Sequence, residues 1–110
     1  MLCAFDVVVV PFPYSDRLSE KRRPALVVSH EDVVETLGRV WVAMITSASP
    51  SQIGDAVIAD LPDAGLPVAS ILRASKIATI DADRVIRAVG RLSSRDAAVA
   101  RIALQACAGF

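Results

Sequence analysis

Histidine is almost missing from this 110-residue chain, His30 being its only one. Two imidazoles working as general acid and general base within one subunit are therefore excluded. Cysteine is scarce as well. Cys3 and Cys107 lie near opposite ends, so number alone rules out a disulfide framework or a four-ligand zinc site. One bridge between them is geometrically open, although two partly buried thiols in a reducing compartment is the commoner state. Net charge is absent, with twelve Lys and Arg against twelve Asp and Glu, so no whole-chain attraction to nucleic acid shows in the total. The longest apolar stretch, Phe5 to Pro13, is interrupted by Asp6 and falls far short of the roughly 20 residues a bilayer demands. No basic segment precedes an apolar run in the manner of a secretory signal. The chain reads as soluble and cytoplasmic, with no membrane partner. A Gly-rich phosphate loop, HExxH, CxxC and GxSxG are all missing. Glu31, Asp32 and Glu35 have no metal-ligand spacing, and neither a metal nor a cofactor is expected.

What is present is apolar bulk: 54% of the residues are hydrophobic, ample for a buried core, and the length suits a single domain spanning 1–110. The charge is unevenly spread. Residues 31–63 carry one base and six acids, whereas residues 64–110 carry seven bases and three acids. Ten of the twelve bases are arginine, whose planar fork grips phosphate or carboxylate bidentately.

The first half reads as strands. Asp6-Val-Val-Val-Val-Pro11 is a β-branched run suited to burial on both faces. Pro11 to Arg22 reads as a loop, and Pro24 to Ser29 as a second strand. Glu31 to Gly38 is open between a helical turn and a loop, with Gly38 placed as a stop. Arg39 to Ala48 resumes as a strand with Trp41 in its core. Short strands are expected at Ala56–Leu61, Ala69–Leu72, Lys76–Ile80 and Val85–Leu92, with turns at 62–65, 74–75 and 81–83. Ser93, followed by Asp96 three residues on, resembles a capping box. Val99, Ile102, Ala103 and Ala106 then share one helical face, and Gly109 reads as the stop. The expectation is a strongly bent antiparallel sheet or partial barrel, mainly β, closed on one side by a C-terminal helix.

Two clusters have chemical potential. Lys21-Arg22-Arg23-Pro24 sets three cations before a buried strand, and the proline biases Arg23 to extended backbone. Ile45-Thr46-Ser47 ends an apolar strand in two hydroxyls, which more often bond local backbone than a ligand. These pieces occur in a wider pattern: Phe5-Asp6-Val-Val-Val-Val-Pro-Phe12, Arg22-Arg23-Pro24-Ala-Leu-Val-Val-Ser29, Val42-Ala-Met-Ile-Thr46-Ser47, Ser70-Ile-Leu-Arg-Ala-Ser-Lys76 and Thr79-Ile-Asp81. In that order and spacing they resemble the MazF/PemK toxins of bacterial toxin–antitoxin modules, over almost the whole chain.

The resemblance implies a small SH3-like β-barrel of the CcdB/PemK type with a C-terminal helix. It implies a homodimer that cuts single-stranded RNA without metal, and a cognate antitoxin that covers the substrate groove. The family's catalytic arginine and threonine fall on Arg23 and Thr46. Lys21 and Arg22 would meet phosphates, Tyr14 would stack on a base or cover the core, and Ser47 would lie beside the groove. Ser75 and Lys76 stand where many relatives have an acidic residue and glutamine that read RNA bases, which leaves the cut sequence open. A second departure is Phe5, where relatives commonly have glycine to ease a turn. A CcdB-like toxin that binds gyrase lacks the arginine–threonine pair in this arrangement. A catalytically silent relative that only binds antitoxin is the other alternative.

Overall fold

The computed structural model describes residues 2–12 and 21–110. Strands β1 (Asp6–Phe12), β2 (Lys21–Val27), β3 (Arg39–Thr46), β4 (Asp55–Val57), β5 (Ile71–Asp81) and β6 (Arg87–Arg91) form one sheet in the order β4-β5-β3-β2-β1-β6. Every pairing is antiparallel. Helix α1 (Glu31–Leu37) joins β2 to β3, a single turn α2 (Leu61–Ala64) follows β4, and α3 (Ser94–Cys107) closes the chain. The expected architecture, a bent antiparallel half-barrel with a C-terminal helix, is what forms.

Both faces of the sheet are apolar, as the β-branched run of β1 requires. On one face Val7, Leu26, Ala43, Ile45 and Leu72 pack with Ala100 and Ala103 of α3 and with Ile58, Ala64, Leu66 and Leu92. On the other, Val8, Val10, Phe12, Ala25, Val27, Val40, Val42 and Met44 meet Ile80, with Leu2, Val34 and Val85 against them. Period-two alternation assigns neighbouring residues to opposite faces, so a strand apolar at every position needs cover on both.

Several boundaries differ from expectation. Residues 69–72 and 76–80 belong to one strand, β5, and the expected break at 74–75 is a bulge. One step on β3, from Ala43 to Met44, is matched by Arg73 to Ile77 on β5. Extra residues bend a strand without ending it. The Ala56–Leu61 strand stops at Val57, because Pro62 sits in the first turn of α2. The Val85–Leu92 strand is trimmed to Arg87–Arg91, Phe12 extends β1, and Lys21 and Arg22 belong to β2 rather than to the preceding loop. Glu31–Leu37 is a helix, capped by His30, whose Nδ1 accepts from Asp32 N–H, and ended by left-handed Gly38.

At α3 the capping box is half realised. Ser93 Oγ accepts from Asp96 N–H, but the Asp96 carboxylate turns away, accepting from Ala59 N at 3.0 Å and Asp60 N at 2.8 Å. That aim rotates the helix. Its inner face is Asp96, Ala100 and Ala103, while Val99 and Ile102 are exposed, against the expected stripe. Gly109 is not the stop: the cap is Ala108 in extended conformation. Trp41 is 47% exposed rather than core, lining an open pocket with Leu104, Cys107 and Phe110 at the end of α3. Cys3 and Cys107 form no disulfide.

Phe5 keeps the turn that a glycine would ease. Its φ is 74°, a left-handed geometry that costs a bulky side chain about 1–2 kcal/mol. The position is fixed from three sides: Phe5 N–H donates to Val27 O at 2.7 Å, Phe5 O accepts from Leu92 N at 3.1 Å, and the Arg101 guanidinium lies 4.8 Å from the ring centroid. Ring packing and cation–π attraction offset the strain. Phe5→Ala should lose the packing and keep the strain, whereas Phe5→Gly loses the packing but relieves it. Denaturant melts should therefore rank wild type above Phe5→Gly, and Phe5→Gly above Phe5→Ala by about 1 kcal/mol. The reverse order of the two variants would show that the backbone there is unstrained.

Candidate functional site

Arg23 and Thr46 meet through sheet register. The β2–β3 ladder pairs Ala25 with Met44, Leu26 with Ala43 and Val27 with Val42. Continuing it by two residues sets Arg23 opposite Thr46. The intervening Pro24 has no N–H to give, so the ladder as defined by hydrogen bonds ends beside it. Opposed residues share a face, and this one holds Val10, which pairs with Arg23 across β1, and Ile71, which pairs with Thr46 across β5. Arg23 and Thr46 are both half-buried, one on each side of the point where the apolar face meets solvent. Thr46 Oγ1 accepts from Ala48 N–H at 3.4 Å, the local backbone bond expected of a hydroxyl after a strand. The long distance makes it a weak bond.

The other expected residues divide. Lys21 and Arg22 are exposed at the start of β2. Lys21 pairs with Phe12 and shares the Arg23 face, while Arg22 pairs with Pro11 and points to the opposite one. Ser47 is exposed directly after Thr46. Ser75 and Lys76 lie in the β5 bulge, four and five residues from Ile71, so register does not set them beside Thr46. Ser75 is exposed and accepts from Gln52 Nε2 at 3.1 Å. Tyr14 lies outside the described residues.

Residue reading missed the pair that organises this rim. Asp55 on β4 sits opposite Arg73, which sits opposite Met44, one row inward from Thr46 on the same face. Arg73 Nε donates to Asp55 Oδ1 at 3.1 Å, and a terminal nitrogen donates to Oδ2 at 3.0 Å. The Asp55 side chain is 1% exposed. Its Oδ2 also accepts from Ser51 N at 2.9 Å and Gln52 N at 3.2 Å. The Arg73 hydrogen bonds, helped by those two N–H groups, outweigh burial and hold the Asp55 carboxyl at about 2. The loop from Ser47 to Gly54 is thus tied to the sheet by one ionised carboxylate. A signal existed: Arg73 lies inside the Ser70–Lys76 motif, but nothing in the sequence linked it to Asp55, eighteen residues earlier.

A family profile described as PemK-like, MazF-like toxin of type II toxin–antitoxin system matches residues 4–107. The chain belongs to that family. Solved structures agree on the fold. An endoribonuclease in complex with its cognate antitoxin from a mycobacterial species superposes with a TM-score of 0.81 at 16% identity, covering 100% of this chain and 97% of that one. MazF from Deinococcus radiodurans gives 0.76 at 23% identity, covering 99% and 97%. The Mycobacterium tuberculosis toxin MazF-mt6 gives 0.72 at 23%, covering 90% and 91%. Comparison with curated sequences finds no match. Among the described residues no helix is long and apolar enough to cross a membrane.

Because folded Asp55 titrates near 2 against an ordinary 3.8, its contribution to stability is complete above about pH 4. It disappears as the pH falls through 4 towards 2. Asp55→Asn should flatten that part of the acid-unfolding curve, and Asp55→Ala should cost about 2–4 kcal/mol at neutral pH by leaving Arg73 unpaired. Equal acid sensitivity in wild type and Asp55→Asn would remove Asp55 from this role.

Proposed function

We propose that this chain is the endoribonuclease toxin of a type II toxin–antitoxin pair. It cuts single-stranded RNA by attack of a ribose 2′-hydroxyl on the adjacent phosphorus, without metal. The observation that carries this reading is the register that sets Arg23 against Thr46 at the solvent edge of one sheet face. The wider support is the family itself.

The chemistry suits these side chains. The 2′-oxygen loses its proton, a bond to phosphorus forms, the bond from phosphorus to the 5′-oxygen breaks, and that oxygen gains a proton. The products are a 2′,3′-cyclic phosphate and a 5′-hydroxyl. Charge that builds on the nonbridging oxygens needs fixed donors. The Arg23 guanidinium supplies several in a rigid fork, and a guanidinium, all donors and no acceptor, stabilises charge rather than serving as the base. Thr46 holds a nonbridging oxygen by donating its O–H, while its Oγ1 goes on accepting from Ala48 N–H at 3.4 Å. Lys21, exposed on the Arg23 face, meets a flanking phosphate, whereas Arg22 points to the other face. One mycobacterial relative is an endoribonuclease solved with its cognate antitoxin, and a MazE–MazF structure exists from Deinococcus radiodurans. An antitoxin partner for this chain follows that pattern. A homodimer would find surface in Trp41, Ile77, Ile102 and Phe110, all exposed in the single chain.

Purified protein with chelator, incubated with a long RNA of mixed sequence, should release fragments ending in cyclic phosphate and 5′-hydroxyl. Arg23→Ala and Thr46→Ala should each slow cleavage by about 100-fold or more. Cutting at the wild-type rate by both variants would show that the catalytic groups lie elsewhere.

A further inference from the structure

Gln52 is exposed in the loop between β3 and β4, yet two separate tethers hold it. Its backbone N–H donates to Asp55 Oδ2 at 3.2 Å, and its side-chain Nε2 donates to Ser75 Oγ at 3.1 Å. Among the described residues the amide oxygen and the second amide hydrogen have no other partner. A surface glutamine ordinarily loses rotamer entropy for little return when it is ordered. This one has lost part of that freedom already, so a ligand is met by a pre-set edge with an acceptor and a donor side by side.

That edge matches a nucleobase. Glutamine pairs bidentately with adenine through N6 and N7. In an unpaired strand, adenine offers its amino donor next to a ring-nitrogen acceptor on both its Watson–Crick and Hoogsteen edges, whereas cytosine does so on one only. The loop also starts in the right place. Gln52 lies six positions after Thr46, a span of at most about 20 Å. We propose that Gln52, aimed by Ser75, is a specificity-determining residue that reads an unpaired adenine near the cleaved phosphate. This rests on the endoribonuclease reading above.

Cleavage ends mapped on a long RNA of mixed sequence test it, using wild type, Gln52→Glu, Gln52→Met and Ser75→Ala, each first shown to melt like wild type. Wild type should favour adenine at one position near the cut by about tenfold or more. Gln52→Glu, with two acceptors and no donor, should move that preference to guanine, whose unpaired Watson–Crick edge sets the N1–H and N2 amino donors side by side. Gln52→Met, of similar length but without the amide, should erase it and gives the same readout should the Glu variant misfold. Ser75→Ala should weaken the preference without moving its position. One base pattern shared by all four proteins while each still cuts RNA overturns the role of Gln52 alone. A wild-type protein that cuts no RNA overturns the endoribonuclease reading, and this inference with it.

Discussion

The pairing of β5 with β3 bends the sheet beside the rim where Arg23 and Thr46 lie. A single step from Ala43 to Met44 is set against the stretch from Arg73 to Ile77, so β5 kinks outward midway and then resumes. Inside the kink, Ala74 stays buried with the α3-facing core, and Ser75 is turned to solvent. Alongside it runs the β3–β4 loop, with Ala74 N–H donating to Gly54 O at 3.0 Å. Only glycine fits there. Gly54 has φ +87°, and a Cβ on it would sit 2.4 Å from Cys107 Sγ at the end of α3. The segment that follows Thr46 is therefore wedged between a strand bulge and a helix terminus, while a carboxylate beneath it holds its N–H groups.

A chain with no net charge can still show cations at one edge, because each acid paired with an arginine removes one charge of either sign and leaves the placement of the rest to decide. Several acids are spent internally. Asp55 is taken by Arg73 and loop N–H groups, Asp96 by the backbone of Ala59 and Asp60, Asp60 by Arg95 and Ser93, and Asp6 by Arg91. Arg95 and Ser93 hold the Asp60 carboxyl at about 2, so it too stays ionised in its tether. Lys21 and Arg22 remain exposed at the head of β2. Local geometry, rather than the total, decides what a phosphate meets.

Much of this was legible in the residues, and the limits have physical causes. Runs such as Val7–Val10 and Val40–Ile45 identify strands because nothing else accommodates β-branched residues on both faces, and Ser93 identifies a helix start by its cap. Alternation cannot distinguish a bulge from a break, so the single strand β5 read as two. Helical spacing put Val99 and Ile102 on the inner face of α3, whereas Asp96, bonding to Ala59 and Asp60 across 37 and 36 residues, turns itself and Ala100 inward instead. Trp41 reads as core from its place in the middle of a strand, yet the pocket it lines at the end of α3 stays open to solvent. Arg23 and Thr46 came from a family pattern and were brought face to face by register. The Asp55–Arg73 pair carries no local signature and needed the fold to be seen.

The outermost pairing has a bearing on how such a chain is made. Strand β6 docks on β1, Asp6 meeting Arg91 both in the ladder and by a 2.7 Å ion pair, with Phe5 receiving the N–H of Leu92 as well. β1 thus waits for partners more than eighty residues downstream. Contacts that far apart in sequence are slow to form, and on the ribosome they cannot form before about four-fifths of these residues have emerged. The rim depends on α3 too, since Cys107 lies against Gly54. A nascent or interrupted chain accordingly has the Arg23 and Thr46 segments long before it has the scaffold that holds their surroundings, and Gly54 gains its neighbour Cys107 only after β6 has emerged.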